Sequence, residues 1–263
     1  MIREHARLST RLSKRMAVLL SGALILTLLW GCGGQRAQHN EALSTAKREI
    51  GEAYMRQGNY TAALRELMEA ERLNPRDPLV HDALGLCYMA RKRMPEAITH
   101  FKRAVELKPS FTAARNNLGA AYMTVGEWDA AIDIFQEIKQ DVLYATPQYA
   151  YSNLGWAHYN KQEYTTALSY YREALKLQQD LLNALVGMGR THLALNQGRQ
   201  AIPHLEKARD MSPKIAEIHF LLGEAYLLTG QGLQARTAYE TALDLAPRDS
   251  EVAVKARQRL GIR

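Results

Sequence analysis

Small and bulky apolar residues return along the chain with a period of about 34 residues. Glycines mark six equivalent positions, at spacings of 34, 34, 36, 34 and 34 residues: Gly51, Gly85, Gly119, Gly155, Gly189 and Gly223. An alanine follows each glycine by twelve residues, and a large side chain follows by sixteen, at Leu67, Phe101, Phe135, Tyr171, Leu205 and Tyr239. Because the apolar residues lie at helical spacing, each period predicts two short helices that pack together.

The glycines inside these predicted helices require a packing reason. A glycine within a helix costs about 1 kcal/mol relative to alanine, yet six of them occupy one register. We expect each glycine, together with the alanine twelve residues later, to let the two helices of its repeat touch. Another small residue seven positions further on, such as Ala70, is expected to admit the first helix of the next repeat.

These positions resemble the tetratricopeptide repeat family. Small residues fall at places eight, twenty and twenty-seven of each repeat, large ones at eleven and twenty-four, and proline at thirty-two in four repeats. The resemblance implies an all-α, right-handed superhelical solenoid of six helix-turn-helix repeats with a protein-binding role. The repeats span 44–77, 78–111, 112–147, 148–181, 182–215 and 216–249, and residues 250–263 predict a capping helix.

The amino-terminal residues have the pattern of an export signal. A basic segment precedes an apolar run over 16–29, and small residues follow up to Cys32. As a helix this run rises about 21 Å, which is short for a hydrocarbon core of roughly 30 Å. We therefore predict a removed signal peptide over 1–31, with an uncleaved membrane anchor as the alternative.

The end of this signal resembles the bacterial lipobox. Leu29, Gly31 and Cys32 match that pattern, whereas Trp30 departs from it. The resemblance implies lipid attachment at Cys32, followed by a short linker over 32–43. The implied location is the bacterial envelope, in the outer membrane facing the periplasm, because no aspartate follows the cysteine directly.

Charge and motifs argue against nucleic-acid binding and catalysis. The net charge is +7, but the signal segment contributes +4 of it, and the other bases are spread among acids along the chain. The sequence contains no HExxH, CxxC, GxSxG or phosphate-binding loop. Four histidines repeat at places four and eleven, which indicates packing roles. We predict no enzyme activity, catalytic residue, metal, cofactor or small-molecule substrate.

A stripe on the first helix of each repeat is the candidate binding surface. Places 2, 5, 9, 12 and 13 lie away from the face that packs on the partner helix, and by resemblance they line a concave groove. The groove is predicted at Leu86, Met89, Asn116, Met123, Tyr149, Ser152, Trp156, Tyr159 and Asn160. Such a surface suits an extended or helical peptide, although packing between neighbouring repeats is an alternative role.

The junction between repeats three and four, within 138–155, is the most distinctive stretch of the chain. It is two residues longer than the other junctions and contains Leu143, Tyr144, Thr146 and Pro147 before an Asn-Leu-Gly sequence that ends at Gly155. This junction, the lipobox and the six repeats resemble the PilF/PilW family of type IV pilus lipoproteins. A slack turn without a function is the alternative interpretation of the junction.

The resemblance implies a pilotin-like binding protein rather than an enzyme. Its partner would be a secretin, or another pilus assembly component, that must reach or assemble in the outer membrane. One alternative is a generic scaffold of another envelope complex, such as polysaccharide export or cell-wall machinery. Another is a lipid-anchored subunit that acts through a partner's chemistry.

Overall fold

The computed structural model describes residues 36–140 and 146–262, where the chain forms thirteen helices and no strand. This confirms the predicted all-α helical repeat architecture, with two helices per repeat and one helix after the last repeat. In this part of the chain, no helix combines the length and apolar character needed to cross a membrane. The predicted signal peptide, Cys32, Leu143 and Tyr144 lie outside the described residues.

The first compact unit extends to Arg93. It contains α1 over 36–56, α2 over Tyr60–Leu73 and α3 over Pro78–Ala90. Residues 36–43, which belong to the predicted linker, are helical. Their composition explains the difference, because arginine, alanine, glutamine, glutamate and leucine favour helix without needing a buried face, and most of these residues are exposed.

Contacts inside this unit join the repeated small residues to larger partners. A β-carbon on Gly51 would lie 2.7 Å from Cγ of Leu67, so the glycine provides space for that leucine. The buried Ser44 hydroxyl donates a hydrogen bond to the carbonyl of Ala70 over 2.8 Å. Cys87 is fully buried, and burial raises the pKa of its thiol. Its burial and its raised thiol pKa support a packing role for Cys87 rather than a reactive one.

The second compact unit begins at Met94 and contains ten helices. In chain order these are α4 over Met94–Leu107, α5 over Thr112–Val125, α6 over Trp128–Gln140, α7 over Pro147–Asn160, α8 over Tyr164–Leu177, α9 over Leu182–Ala194, α10 over Gly198–Met211, α11 over Ala216–Leu228, α12 over Gly232–Leu245 and α13 over Glu251–Leu260. Each helix packs against the next along the chain. In addition, α7 contacts α9 and α9 contacts α11, so the first helices of successive repeats form one face.

The glycine register is the set of glycines that recur once per repeat, and in repeats three to six each of them makes room for a side chain of the second helix. A β-carbon on Gly119 would lie 2.6 Å from the Phe135 ring, and one on Gly189 would lie 2.4 Å from Leu205. Both large residues are fully buried. The glycine is therefore required chiefly by the bulky residue sixteen positions later, rather than by the alanine twelve positions later.

The predicted capping helix is α13, which packs on α11 and α12. Ser250 begins it by accepting a hydrogen bond from the backbone N–H of Ala253. Arg259 binds both carboxylate oxygens of Glu224 on α11, each over 2.7 Å. The hydroxyl of Tyr239 donates to the same carboxylate over 2.6 Å. One carboxylate thus ties together the last three helices.

Candidate functional site

A cleft of about 370 Å³ opens on the face formed by α7, α9 and the beginning of α11. This volume falls within the range of roughly 300–1,000 Å³ that is usual for ligand sites. The cleft lies entirely within the second unit and draws on repeats four, five and six. Its walls come from Ser152, Asn153, Trp156, Tyr171, Leu182, Asn183, Val186, Gly187, Arg190, Ile215, Glu217 and Ile218.

Tyr171 of α8 forms the floor of the cleft because two glycines admit its ring. A β-carbon on Gly155 of α7 would lie 2.7 Å from the ring, and one on Gly187 of α9 would lie 2.3 Å from Cζ. The ring is therefore held between two first helices and is only 1% exposed. Burial raises the pKa of the Tyr171 hydroxyl, which keeps the hydroxyl neutral.

Trp156 is the centre of an aromatic and ionic cluster at the edge of the cleft. The ring of Tyr159 stacks on it, with centroids 5.4 Å apart and planes 12° apart. The guanidinium of Arg190 lies 5.1 Å from the centroid of the Trp156 ring, which is a cation–π geometry. Arg190 also donates to Glu217 over 2.5 Å. The cluster therefore links α7, α9 and α11.

Several polar groups in the cleft have no protein partner among the described residues. Nε of Arg190 is buried and makes no hydrogen bond there. Asn153 and Asn183 line the cleft, and neither side-chain amide bonds another described residue. An amide offers both donors and an acceptor. The site can therefore form hydrogen bonds of either polarity with a ligand.

Three of the nine predicted groove residues meet at or beside this cleft. Ser152 and Trp156 line it, and Tyr159 reaches it by stacking on Trp156. Asn160 instead donates from Nδ2 to the backbone carbonyl of Trp156 over 2.8 Å, so it is engaged within its own helix. Tyr149 is 44% exposed on the first turn of α7 and does not line the cleft.

The other four predicted groove residues lie elsewhere. Asn116 and Met123 are half-buried on α5, where Met123 packs against the apolar cluster around Phe135. The side-chain oxygen of Asn116 is buried without a hydrogen-bond partner in the described chain. Leu86 and Met89 are half-buried on α3 in the first unit. None of these four residues lines the cleft of the second unit.

The prediction missed the half of the cleft contributed by repeats five and six. Asn183 and Glu217 occupy place two, Val186 place five and Arg190 place nine, so the same stripe would have identified them. A second signal was composition. Repeat four holds six of the 13 tyrosines and one of the three tryptophans, and these residue types are enriched at the energetic centres of protein interfaces.

The repeated histidines have structural hydrogen bonds. Nε2 of His81 donates to the carbonyl of Pro75 over 3.0 Å, and His219 makes the same bond to Pro213 over 2.8 Å. His158 and His192 at place eleven contact the acceptor side chain five residues later, at 2.5 and 2.8 Å. These contacts agree with the packing roles predicted for both sets.

Fold and cleft together define an all-α helical repeat scaffold with a site of the size and polarity that suit a peptide. Tetratricopeptide repeat family models match residues 48–111 and 186–250, residues 88–149 and residues 148–181. These matches cover most of the described chain. The chain therefore belongs to the tetratricopeptide repeat family.

Two solved structures share this fold over nearly their whole length. The crystal structure of PilW, described as a widely conserved type IV pilus biogenesis factor, has a TM-score of 0.73 and 21% identity, and covers 81% of this chain and 97% of that one. PilF of Pseudomonas aeruginosa has a TM-score of 0.71 and 17% identity, and covers 84% and 99%. At these identities the likeness shows the fold alone.

A curated relative illustrates how general the repeats are. The Hsp70-Hsp90 organizing protein of Triticum aestivum is 29% identical over 102 residues, which is 39% of this chain. The match spans only 18% of that relative's length. The match is consistent with a protein-interaction scaffold. Because it covers so little of the relative, it gives no information on whether the two proteins share a role.

Proposed function

We propose that this protein is a lipid-anchored scaffold of the bacterial envelope that assists type IV pilus biogenesis by binding a secretin or another assembly component. The similarity in fold to both PilW and PilF carries the proposal, because it covers 97% and 99% of those chains. The junction before Gly155 and the lipobox-like residues ending at Cys32 add support from the sequence.

The proposed mechanism is stoichiometric binding without a chemical step. A lipid on Cys32 would hold the protein at the outer membrane, facing the periplasm, and several acyl chains give stable anchoring. The cleft beside Trp156 would hold a segment of the partner during its delivery or assembly. Tetratricopeptide repeats suit this role because stacked helix pairs present a continuous binding face.

The first test is the amount of detergent-resistant secretin multimer in membranes of a strain that lacks this protein. Complementation with the wild type should restore the multimer, whereas Cys32→Ala should leave it reduced or mislocalised. Cys87→Ala is the matched control, because it removes the other cysteine without touching the lipid site. Wild-type multimers and surface pili in the null strain would favour a scaffold for another envelope complex.

A further inference from the structure

The two charged side chains that line the cleft neutralise each other. Arg190 and Glu217 are the charged residues that line it, and they bind each other over 2.5 Å. An acidic ligand side chain placed beside Arg190 would also meet Glu217, and a basic one beside Glu217 would meet Arg190. Because like charges brought together in a partly desolvated site cost free energy, the pair selects against strongly charged ligands.

The open hydrogen-bonding groups indicate the conformation of the ligand. The side-chain amides of Asn153 and Asn183 line the cleft without a partner among the described residues, and each offers both donors and an acceptor to a ligand. A peptide in a helix has already used its backbone N–H and C=O groups internally, whereas an extended peptide presents them along its length. The cleft therefore fits an extended backbone.

The apolar wall indicates what the ligand carries. Leu182 and Val186 are half-buried, and Ile215 is 40% exposed at the start of α11; all three line the cleft. An uncovered apolar surface of this kind gains about 25 cal/mol for each Å² that a ligand removes from water. An aliphatic side chain would cover it without introducing charge.

We infer that the cleft of repeats four to six binds an extended, electrically neutral peptide segment with an aliphatic side chain. Arg190, held by Glu217 and Trp156, forms a polar wall beside the ligand, and Asn153 and Asn183 bind the ligand backbone. The aliphatic side chain packs on Val186. This inference rests on the protein-binding role proposed above and specifies the chemistry of the bound segment.

The test is selection of random linear peptides displayed on phage by the purified full chain in detergent. The wild type should enrich a consensus of uncharged residues around one aliphatic position. A dye-labelled peptide of that consensus should bind at least about tenfold more weakly to Arg190→Ala and Val186→Asp, as expected for contacts at the centre of an interface. Asn183→Ala should also weaken binding, and its exposed position makes it the variant least prone to misfolding.

Matched controls exclude unspecific effects of the substitutions. Arg199→Ala removes an exposed arginine of α10, and Leu233→Asp places an acid at a leucine that is 78% exposed on α12. Both should bind the peptide as the wild type does. Circular dichroism melts of all variants establish that weaker binding does not come from unfolding.

One further variant tests charge, and two modified peptides test conformation. Glu217→Gln leaves Arg190 without its counter-charge, so selection should shift towards peptides with aspartate or glutamate. Methylating the backbone nitrogens of the consensus peptide should weaken its binding, and a stapled helical version should bind worse than the linear one. A charged consensus with the wild type, no enriched peptide, equal binding by Arg190→Ala, or tighter binding of the helical version would each overturn the inference.

The secretin assay separates this inference from the proposed function. If the null strain loses multimers and Val186→Asp restores them fully, the pilus role stands and the cleft assignment is wrong. If multimers are normal in the null strain while the pure protein selects neutral extended peptides, the cleft assignment stands and the pilus role is wrong.

Discussion

The contact between the two helices of a repeat and the cleft differ in their residues at equivalent places. The helix contact uses similar residue types from one repeat to the next, whereas the cleft does not. At the helix contact, Gly119 faces Phe135 and Gly189 faces Leu205, with the same spacing of sixteen residues. In the cleft, place nine holds Trp156 in repeat four and Arg190 in repeat five. The invariant positions hold the helices together, while the positions that change between repeats give the cleft its chemistry.

Tyr171 belongs to both regions and gives the largest expected effect. It fills the space beside Gly155 and Gly187 and also forms the floor of the cleft. Tyr171→Ala should lower the free energy of unfolding by about 3–5 kcal/mol, because it leaves a cavity between two repeats. Tyr171→Phe keeps the ring and should cost less than about 1 kcal/mol. Urea unfolding followed by circular dichroism measures both, and equal losses would show that the hydroxyl rather than the ring is important.

Gly119 tests the helix contact away from the cleft. Gly119→Leu would force a side chain into the ring of Phe135, so we expect a loss of about 1–3 kcal/mol, concentrated in the neighbouring repeats. Gly232→Ala is the control, because nothing lies within 4 Å of the position for its β-carbon. Backbone amides of α5 and α6 should exchange hydrogen faster in Gly119→Leu than in the wild type. The control should exchange at the wild-type rate. Unchanged protection in both variants would contradict the packing role of the glycine register.

The carboxylate that ties α13 to the array predicts a pH dependence. Burial raises the pKa of Glu224, but hydrogen bonds from Arg259 and Tyr239 outweigh this and lower it overall. A lowered pKa in the folded state stabilises the protein above the ordinary glutamate range, near pH 4.3, and this stabilisation is lost as the pH falls through the folded-state value. Arg259 is half-exposed, so the contribution should be about 1 kcal/mol.

This dependence is measured by unfolding the wild type and Arg259→Ala between neutral and acid pH. The two proteins should differ at neutral pH, and the difference should shrink as the pH falls below the ordinary glutamate range and through the lowered pKa of Glu224. A constant difference throughout would mean that Arg259 acts by packing instead of by charge. Arg236→Ala, at another ion-paired arginine of the same unit, is the control.

The smallest effect on stability is expected in the cleft itself. The side chain of Asn183 is exposed and makes no hydrogen bond with another described residue, so Asn183→Ala should change the free energy of unfolding by no more than about 0.5 kcal/mol. The same substitution should weaken peptide binding. A large loss of stability would mean that Asn183 has a packing role, and the distinction between the two regions would fail at this position.

The predicted groove shows how far the repeat pattern reaches. Ser152 and Trp156 were identified from their places in the first helix, and both line the cleft. Leu86 and Met123 occupy the same stripe, yet they do not line the cleft. The stripe predicts which side of a helix faces the groove, but it does not predict where along the groove a cleft forms. Arg190 was missed because the stripe was followed only through repeat four.

The helix pairs, the glycine register and the kind of surface available for binding can all be predicted from the order of residues. These features depend on residues close in the chain, or one repeat apart, so a period reveals them. The place where this surface becomes a cleft follows from the folded packing alone. That place depends on Gly187, which stands outside the glycine register and admits Tyr171, and on an Arg190–Glu217 pair formed across 27 residues. Side-chain packing among three repeats brings these residues together, and no period encodes that contact.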